Sequence, residues 1–215
     1  RVWRHPFPGP GLGIRVLCAK EETIPKEVFD LNTNVTALAS KLGFDSKVLP
    51  IKSVGVKGDA RSYEYPVAIF GMEINWQELE SVSTRITNEI RGINRVVYTL
   101  IPETIVSAKP IVSHITKERV DLLREGDNIV MKNLENSGLM SKVWQCPTVL
   151  LPVSVNDGGE SIVLRPVLSE RAMTAKFADL PVDFVNKISK EISKLGVSAV
   201  FYDITHKPPG TIEWE

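Results

Sequence analysis

Hydrophobic residues recur at two spacings along this chain, and the two spacings alternate. Apolar positions three and four residues apart indicate amphipathic helices over residues 25–42, 76–90 and 182–195. The same pattern over 116–136 fits either one helix or two helices broken near Gly126. Shorter apolar runs indicate strands, and these runs cover residues 14–19, 49–56, 63–70, 93–100, 147–155, 161–168 and 197–204. The pattern therefore predicts an α/β protein with mixed strands and helices.

The order of these elements repeats within the chain. Each half contains two strands, a helix and a further strand, and segment 92–98 is similar in sequence to segment 196–202. A β-β-α-β unit covers only one face of its sheet, so two copies gain by pairing with each other. The fold expected is therefore α/β (α+β), with two repeated β-β-α-β subdomains and extra helices that form an intramolecular pseudo-dimer.

The predicted elements divide the chain into four parts. A loop and strand over residues 1–18 come from a junction with a preceding domain. The first subdomain, with an inserted helix, covers 19–101, and a helical linker covers 102–146. The second subdomain, with its C-terminal tail, covers 147–215. Because the chain opens abruptly with Arg1-Val2-Trp3-Arg4, we expect it to be part of a longer protein.

Composition narrows the class of protein. The 215 residues are 43% hydrophobic and 24% charged, which is enough apolar content for a core and excludes disorder as the main state. Lys plus Arg and Asp plus Glu are both 26, so net charge gives no drive toward nucleic acid or anionic membrane. No apolar run reaches the roughly 18 residues of a membrane span. Two cysteines and three scattered histidines suggest reduced thiols, a cytoplasmic location and no metal site.

Motifs for catalysis are absent from the sequence. It contains no nucleophile elbow, phosphate-binding P-loop, HExxH helix or dinucleotide fingerprint, and we expect no catalytic residue in this chain. The segment Gly55-Val56-Lys57-Gly58 fits the GxxG pattern of KH modules. That loop joins two predicted strands instead of two helices, so RNA binding is disfavoured.

Three charged residues stand at positions that need an explanation. Lys57 and Arg61 belong to one tight turn, which is either a solvated hairpin tip or a phosphate contact. Arg165 lies inside an apolar strand, where it either faces outward or reaches a partner or ligand. The sequence leaves both pairs of alternatives open.

The C-terminal tail combines rigid turn residues with anchoring side chains. Lys207-Pro208-Pro209-Gly210 fixes the backbone after the last strand, and Trp214 follows close to the end. This composition predicts a docked tail instead of a frayed one. Lys207 could hold a phosphate and Glu213 could accept hydrogen bonds from a polar ring. The alternative is a tail that only covers the sheet.

Three segments together resemble a known family. The segment 4–16, the turn Ser53-Val54-Gly55-Val56-Lys57-Gly58-Asp59-Ala60-Arg61-Ser62-Tyr63 and the end of the chain from Tyr202 to Glu215 are similar to the C-terminal domain of GMP synthetases. The strand around Arg165 also resembles that family. The motifs are split between the two repeats, as in the long, two-subdomain form of the family.

The resemblance implies a role in a larger enzyme. The family converts XMP to GMP with ATP and glutamine, using an amidotransferase domain and an ATP pyrophosphatase domain besides this one. The signatures of those two domains do not occur here, so this part alone should be inactive. ATP and Mg²⁺ would serve the whole enzyme, and no cofactor is expected in this chain. Its expected partners are XMP, the two other domains and possible second copies in a homodimer; nucleic acid and membrane are not expected partners.

The resemblance implies XMP contacts at four positions, Lys57, Arg165, Lys207 and Glu213, and two neighbouring positions are further candidates. These two are Arg61 and Ile212. Lysine and arginine suit a phosphate dianion, and a carboxylate suits the N–H groups of xanthine. Two alternatives stay open. A dimerisation or interaction module without ligand contacts would need Ile212 and Trp214 but not Lys207 or Glu213. A stand-alone regulatory nucleotide binder would need a natural start codon near Arg1.

Overall fold

A computed structural model describes residues 11–169 and 173–215, so the predicted loop before Gly11 lies outside the described residues. The four helices contain the segments with helical spacing. The first, α1, includes the buried Val28 and Val35, and α2 starts behind Asn75, whose side chain accepts hydrogen bonds from two N–H groups of the first turn. The helices are α1 (Lys26–Lys41), α2 (Trp76–Glu89), α3 (Lys117–Asn136) and α4 (Val182–Ser193).

Eleven strands accompany these helices within the described residues. The first half of the chain contains β1 (Asp45–Val48), β2 (Ser53–Lys57), β3 (Ala60–Phe70), β4 (Ile93–Ile101) and β5 (Ala108–Pro110). The second half contains β6 (Thr148–Leu151), β7 (Val153–Val155), β8 (Ser161–Leu164), β9 (Val167–Leu168), β10 (Lys176–Phe177) and β11 (Ala199–Asp203).

The main sheet has the same arrangement when followed from either end. Its order is β1-β3-β4-β11-β8-β6, with β2 paired to the first part of β3. On each side of the centre the repeat forms a parallel pair, β3 with β4 and β8 with β11, and each has an antiparallel outer strand. The central strands β4 and β11 run antiparallel, with Tyr98 opposite Tyr202. This arrangement is consistent with two repeats that form a pseudo-dimer, and the α/β class is confirmed.

The sheet separates two hydrophobic clusters. One cluster joins all four helices to one face of the sheet, as shown by Val35, Ile86, Leu123 and Val185. The other cluster lies on the opposite face and contains Trp214 of the tail. Because neighbouring residues of a strand point to opposite faces, β4 contributes to both clusters. The tail is therefore part of the core of the sheet.

Several predicted elements differ in detail. The strand predicted over 14–19 is wrong, because Gly11–Arg15 forms a 3₁₀ helix and the rest of the run makes only isolated bridges, from Val16 to Leu150 and from Ala19 to Ser113. The pattern over 116–136 is one continuous helix. The runs over 49–56, 147–155 and 161–168 are each shorter or interrupted in the structure, the last of them at Arg165 and Pro166. No helix in the described part of the chain is long and apolar enough to cross a membrane.

Candidate functional site

The C-terminal tail folds back across β2 and pairs with it. The N–H of Val54 donates to the carbonyl of Trp214 at 2.9 Å, and the N–H of Val56 donates to that of Pro209 at 2.7 Å. Trp214 has no exposed surface. The tail is therefore docked, as predicted. This docking connects the end of the chain to a hairpin about 150 residues earlier in the sequence.

Gly55 makes this close approach possible. A Cβ atom at this position would lie 2.7 Å from the carbonyl oxygen of Pro209 and 2.8 Å from side-chain atoms of Asn94 and Ser62. Such distances are shorter than van der Waals contact, so any side chain would push the tail away from β2. The glycine of the VGVKGD segment therefore serves the packing of the tail.

Asp203 is the centre of a buried charged cluster beneath the tail. Its carboxylate accepts hydrogen bonds from Arg95 Nη1 at 2.9 Å, Arg165 Nη1 at 3.1 Å and Trp214 Nε1 at 3.0 Å. None of these four side chains is exposed. Burial lowers the pKa of Arg95 to about 10 and also lowers that of Arg165. A guanidinium is otherwise protonated throughout the physiological pH range. Two buried cations therefore share one carboxylate.

Arg95 also holds the tail directly. Its Nη2 lies 2.7 Å from Thr211 Oγ1, 2.7 Å from the carbonyl oxygen of Glu213 and 2.9 Å from that of Val54. Its guanidinium lies 4.9 Å from the centre of the Trp214 ring. Arg95 therefore binds both β2 and the tail from its place in β4. The sequence motifs do not single out Arg95, although a charge inside an apolar strand is the same signal that marks Arg165.

Arg165 lies under the tail and not at the protein surface. Besides Asp203, it donates to the carbonyl oxygens of Thr205 and Thr211, the second at 3.2 Å. Its side chain is completely buried, so the alternative of an outward-facing strand arginine is wrong. The two arginines thus bind carbonyl groups at both ends of the 205–213 segment.

Glu213 is held by a residue that sequence analysis did not identify. Its carboxylate oxygens accept from Nε and Nη2 of Arg15 at 3.1 and 2.9 Å, in a bidentate pair. Arg15 belongs to the 3₁₀ helix, and the side chain of Glu213 is 17% exposed. The neighbouring Ile212 is half-buried. The carboxylate is therefore fixed in orientation and still reachable from solvent.

Lys57 and Arg61 lie at an exposed hairpin tip. Lys57 Nζ contacts Glu64 at 2.7 Å, and Arg61 is exposed opposite Val56 in the hairpin. The tip lies beyond the end of the segment that pairs with the tail. The described structure brings the hairpin and the tail together, but Lys57 and Arg61 do not line the cavity described next.

A cavity of about 1060 Å³ lies beside Lys207. Its described lining includes Lys142, Lys176 and Lys207 and no Asp or Glu, with the side of Trp144 as an apolar wall. His206 also lines it, with Nε2 2.7 Å from Glu80 Oε1. Three amino groups around one cavity favour an anion.

The corresponding end of the first repeat has the opposite charge. Lys207 follows Tyr202 by five residues and Glu103 follows Tyr98 by five, and these tyrosines face each other across the centre of the sheet. A cavity of about 700 Å³ beside Glu103 also contains Glu73. Of these two cavities, the one beside the tail is lined by lysines and by no acidic residue of the described chain, and the other is lined by two glutamates. The part of the chain that the structure describes holds no cluster of three or more potential metal-ligating His, Cys, Asp or Glu residues.

These features define an α/β domain whose C-terminal tail is built into its own sheet beside a cationic cavity. The family model described as GMP synthase C terminal domain matches residues 44–110 and 132–214. The chain belongs to this family.

Relatives in different organisms agree with this assignment. A probable glutamine-hydrolysing GMP synthase of Leptospira interrogans is 41% identical over 219 residues, covering the whole chain and 36% of the relative. A GMP synthase of Leifsonia xyli is 44% identical over 66% of the chain and 32% of the relative. One of Dictyostelium discoideum is 32% identical over 99% of the chain and 37% of the relative. The chain spans about a third of the length of these relatives.

Proposed function

We propose that this domain supplies the XMP site of a glutamine-hydrolysing GMP synthase. The observation that carries the proposal is the position of Lys207, at the start of the docked tail and in the cationic cavity. In the complete enzyme, ATP, Mg²⁺ and ammonia from glutamine would act at the pyrophosphatase and amidotransferase domains. This domain alone would therefore be inactive, and a cytoplasmic location belongs to the same proposal.

The chemistry of the tail suits the two ends of a purine nucleotide. Lys207, with Lys142 and Lys176 nearby, would bind the phosphate, because amino groups form charge-assisted hydrogen bonds with phosphate oxygens. The carboxylate of Glu213, oriented by Arg15, would accept from an N–H of the xanthine ring.

The other candidates support the tail or extend the site. Ile212 would offer an apolar contact beside Glu213, and Arg165 would act from beneath the tail. Lys57 at the end of β2 and Arg61 at the start of β3 would reach the nucleotide from the tip of the hairpin on which the tail docks.

An assembly role belongs to the same proposal. The connection after β4 exposes Val106, Val112 and Ile115, at 79%, 45% and 60% of their surface. Exposed apolar side chains of this kind would serve contacts with the neighbouring domains or with a second copy. A module that only dimerises would use this surface and would have no need for the cationic cavity.

Calorimetric titration of the chain with XMP tests the proposed site, with IMP and AMP as competitors. We expect selective XMP binding that weakens about tenfold or more in Lys207→Ala, since a charge-assisted hydrogen bond contributes roughly 1.5–3 kcal/mol. Lys187→Ala, an exposed lysine of α4, is the matched control and should bind as the unmodified chain does.

Two results would contradict the proposal or change it. Equal XMP affinity in Lys207→Ala would remove this residue from the site. No XMP binding to the chain, with binding restored by adding the separate pyrophosphatase domain, would make the site a shared one. If binding is not restored, the dimerisation role alone would remain.

A further inference from the structure

Arg95 is the residue through which the first repeat contacts the tail of the second. It lies in β4, and its guanidinium touches three different segments of the chain. These are β2 at Val54, β11 at Asp203 and the tail at Thr211 and Glu213. A planar guanidinium can donate in several fixed directions at once, and a lysine ammonium cannot reproduce that fork.

The contacts of Arg95 bear on the geometry of the candidate site. It binds the backbone carbonyl of Glu213, whose side chain is the candidate ring acceptor. Arg165 binds the carbonyl of Thr205, two residues before Lys207. One buried arginine therefore binds the backbone of Glu213 at the ring end of the candidate site, and the other binds the backbone two residues before Lys207 at the phosphate end. Both arginines are tied to the same carboxylate of Asp203.

We propose that Arg95 is a positioning residue for XMP binding, which fixes the tail so that Glu213 and Lys207 stand at the separation the nucleotide requires. Arg95 has no exposed surface and does not touch the ligand. It acts through the tail, and Arg165 and Asp203 complete the same device. This inference rests on the proposed function for its ligand, and on contacts within the chain for its mechanism.

Hydrogen exchange separates the mechanism from the ligand. In Arg95→Met, the amides of Val54 and Val56, which donate to the tail, should exchange at least tenfold faster, while those of α4 keep their rates. XMP affinity should fall tenfold or more in the same variant. Arg95→Lys should restore neither property fully, because the lost feature is the fork and not the charge.

A milder variant and a stability control keep the test decisive. Thr211→Val removes one acceptor of Arg95 at the half-buried tail and should accelerate exchange and weaken XMP binding in the same direction, by about threefold. Val82→Ala, on the buried face of α2, lowers global stability without touching the tail and should leave XMP affinity unchanged. A merely structural role for Arg95 predicts that affinity follows stability in both variants.

The failures are distinguishable. Unchanged exchange at Val54 and Val56 in Arg95→Met, or in Thr211→Val if the first variant does not fold, overturns the positioning role whether or not XMP binds. Faster exchange with unchanged XMP affinity also overturns it. If the unmodified chain binds no XMP, alone or with its pyrophosphatase domain, the proposed function fails, and the exchange data still decide whether Arg95 holds the tail.

Discussion

Replacing Asp203 by asparagine would test the buried charged cluster most directly. The substitution keeps the shape of the side chain and removes its charge. It leaves Arg95 and Arg165 without a counter-ion at a place where neither has any exposed surface. It also turns one acceptor oxygen into a donor. In the native structure Oδ2 accepts from Arg95 and Trp214, and Oδ1 accepts from Arg165 and the N–H of Thr205.

The size of the effect follows from these contacts. Breaking a buried ion pair by removing one partner costs about 3–5 kcal/mol, because the other charge stays buried and uncompensated. With two cations affected, we expect the free energy of unfolding to fall by about 4 kcal/mol. For a chain of this length that corresponds to about 8–16 °C in melting temperature, at roughly 2–4 °C per kcal/mol.

Urea and thermal unfolding followed by circular dichroism at neutral pH measure this loss. Glu89→Gln is the control, since its pair with Arg85 is about half exposed and should contribute roughly 0.5 kcal/mol or less. Adding Arg165→Met to Asp203→Asn should cost less than the two separate losses together, because the second change removes one unpaired cation. A loss below about 1 kcal/mol in Asp203→Asn would refute the picture of an uncompensated charge.

Three further outcomes are expected. Gly55→Ala should lower the free energy of unfolding by about 1–3 kcal/mol in urea titrations, because its methyl group would overlap the carbonyl of the tail, and wild-type stability would contradict this packing. Glu160→Gln should cost about 1–3 kcal/mol, since its carboxylate makes a largely buried pair with Arg119, and a change within the error of the measurement would show that water replaces it. Burial raises the pKa of the Cys146 thiol. A thiol reagent at pH 8 should therefore modify only the exposed Cys18 in the native protein and both cysteines in denaturant. Rapid labelling of two thiols in the native protein would contradict the burial of Cys146.

The helices could be predicted from sequence because their information is local. The apolar spacing of α2 and α4 places Leu79 and Val185 on the sheet, and an Asn at the start of α2 marks its boundary. The predicted repeat, with which the sheet is consistent, also rests on local similarity, since the segments around Tyr98 and Tyr202 resemble each other. The strand predicted over 14–19 failed because a short apolar run does not distinguish a strand from a 3₁₀ helix that is followed by irregular chain.

The buried cluster could be predicted only in part. The tail, Arg165 and the VGVKGD turn each had a local signal, and they are indeed neighbours in the fold. Arg95 pairs with Asp203, and 108 positions separate the two residues in sequence. Arg15 and Glu213 are 198 positions apart. Nothing within a strand or turn specifies such pairs, because they result from the order of strands in the sheet and not from periodicity.

The centre of the sheet has a consequence for how its two halves can change. Tyr98 and Tyr202 occupy matching places in the two halves, so Thr99 corresponds to Asp203. Ile69 pairs with Tyr98 as Leu164 pairs with Tyr202, so the next residues, Phe70 and Arg165, also correspond. In a dimer of two identical chains, one codon would determine the residue at both corresponding positions. A buried charge in one half would then also be present in the other half. Here each half has its own codon. The desolvation cost of a buried ion cluster therefore arises only once, while the corresponding positions Thr99 and Phe70 are uncharged and can change independently.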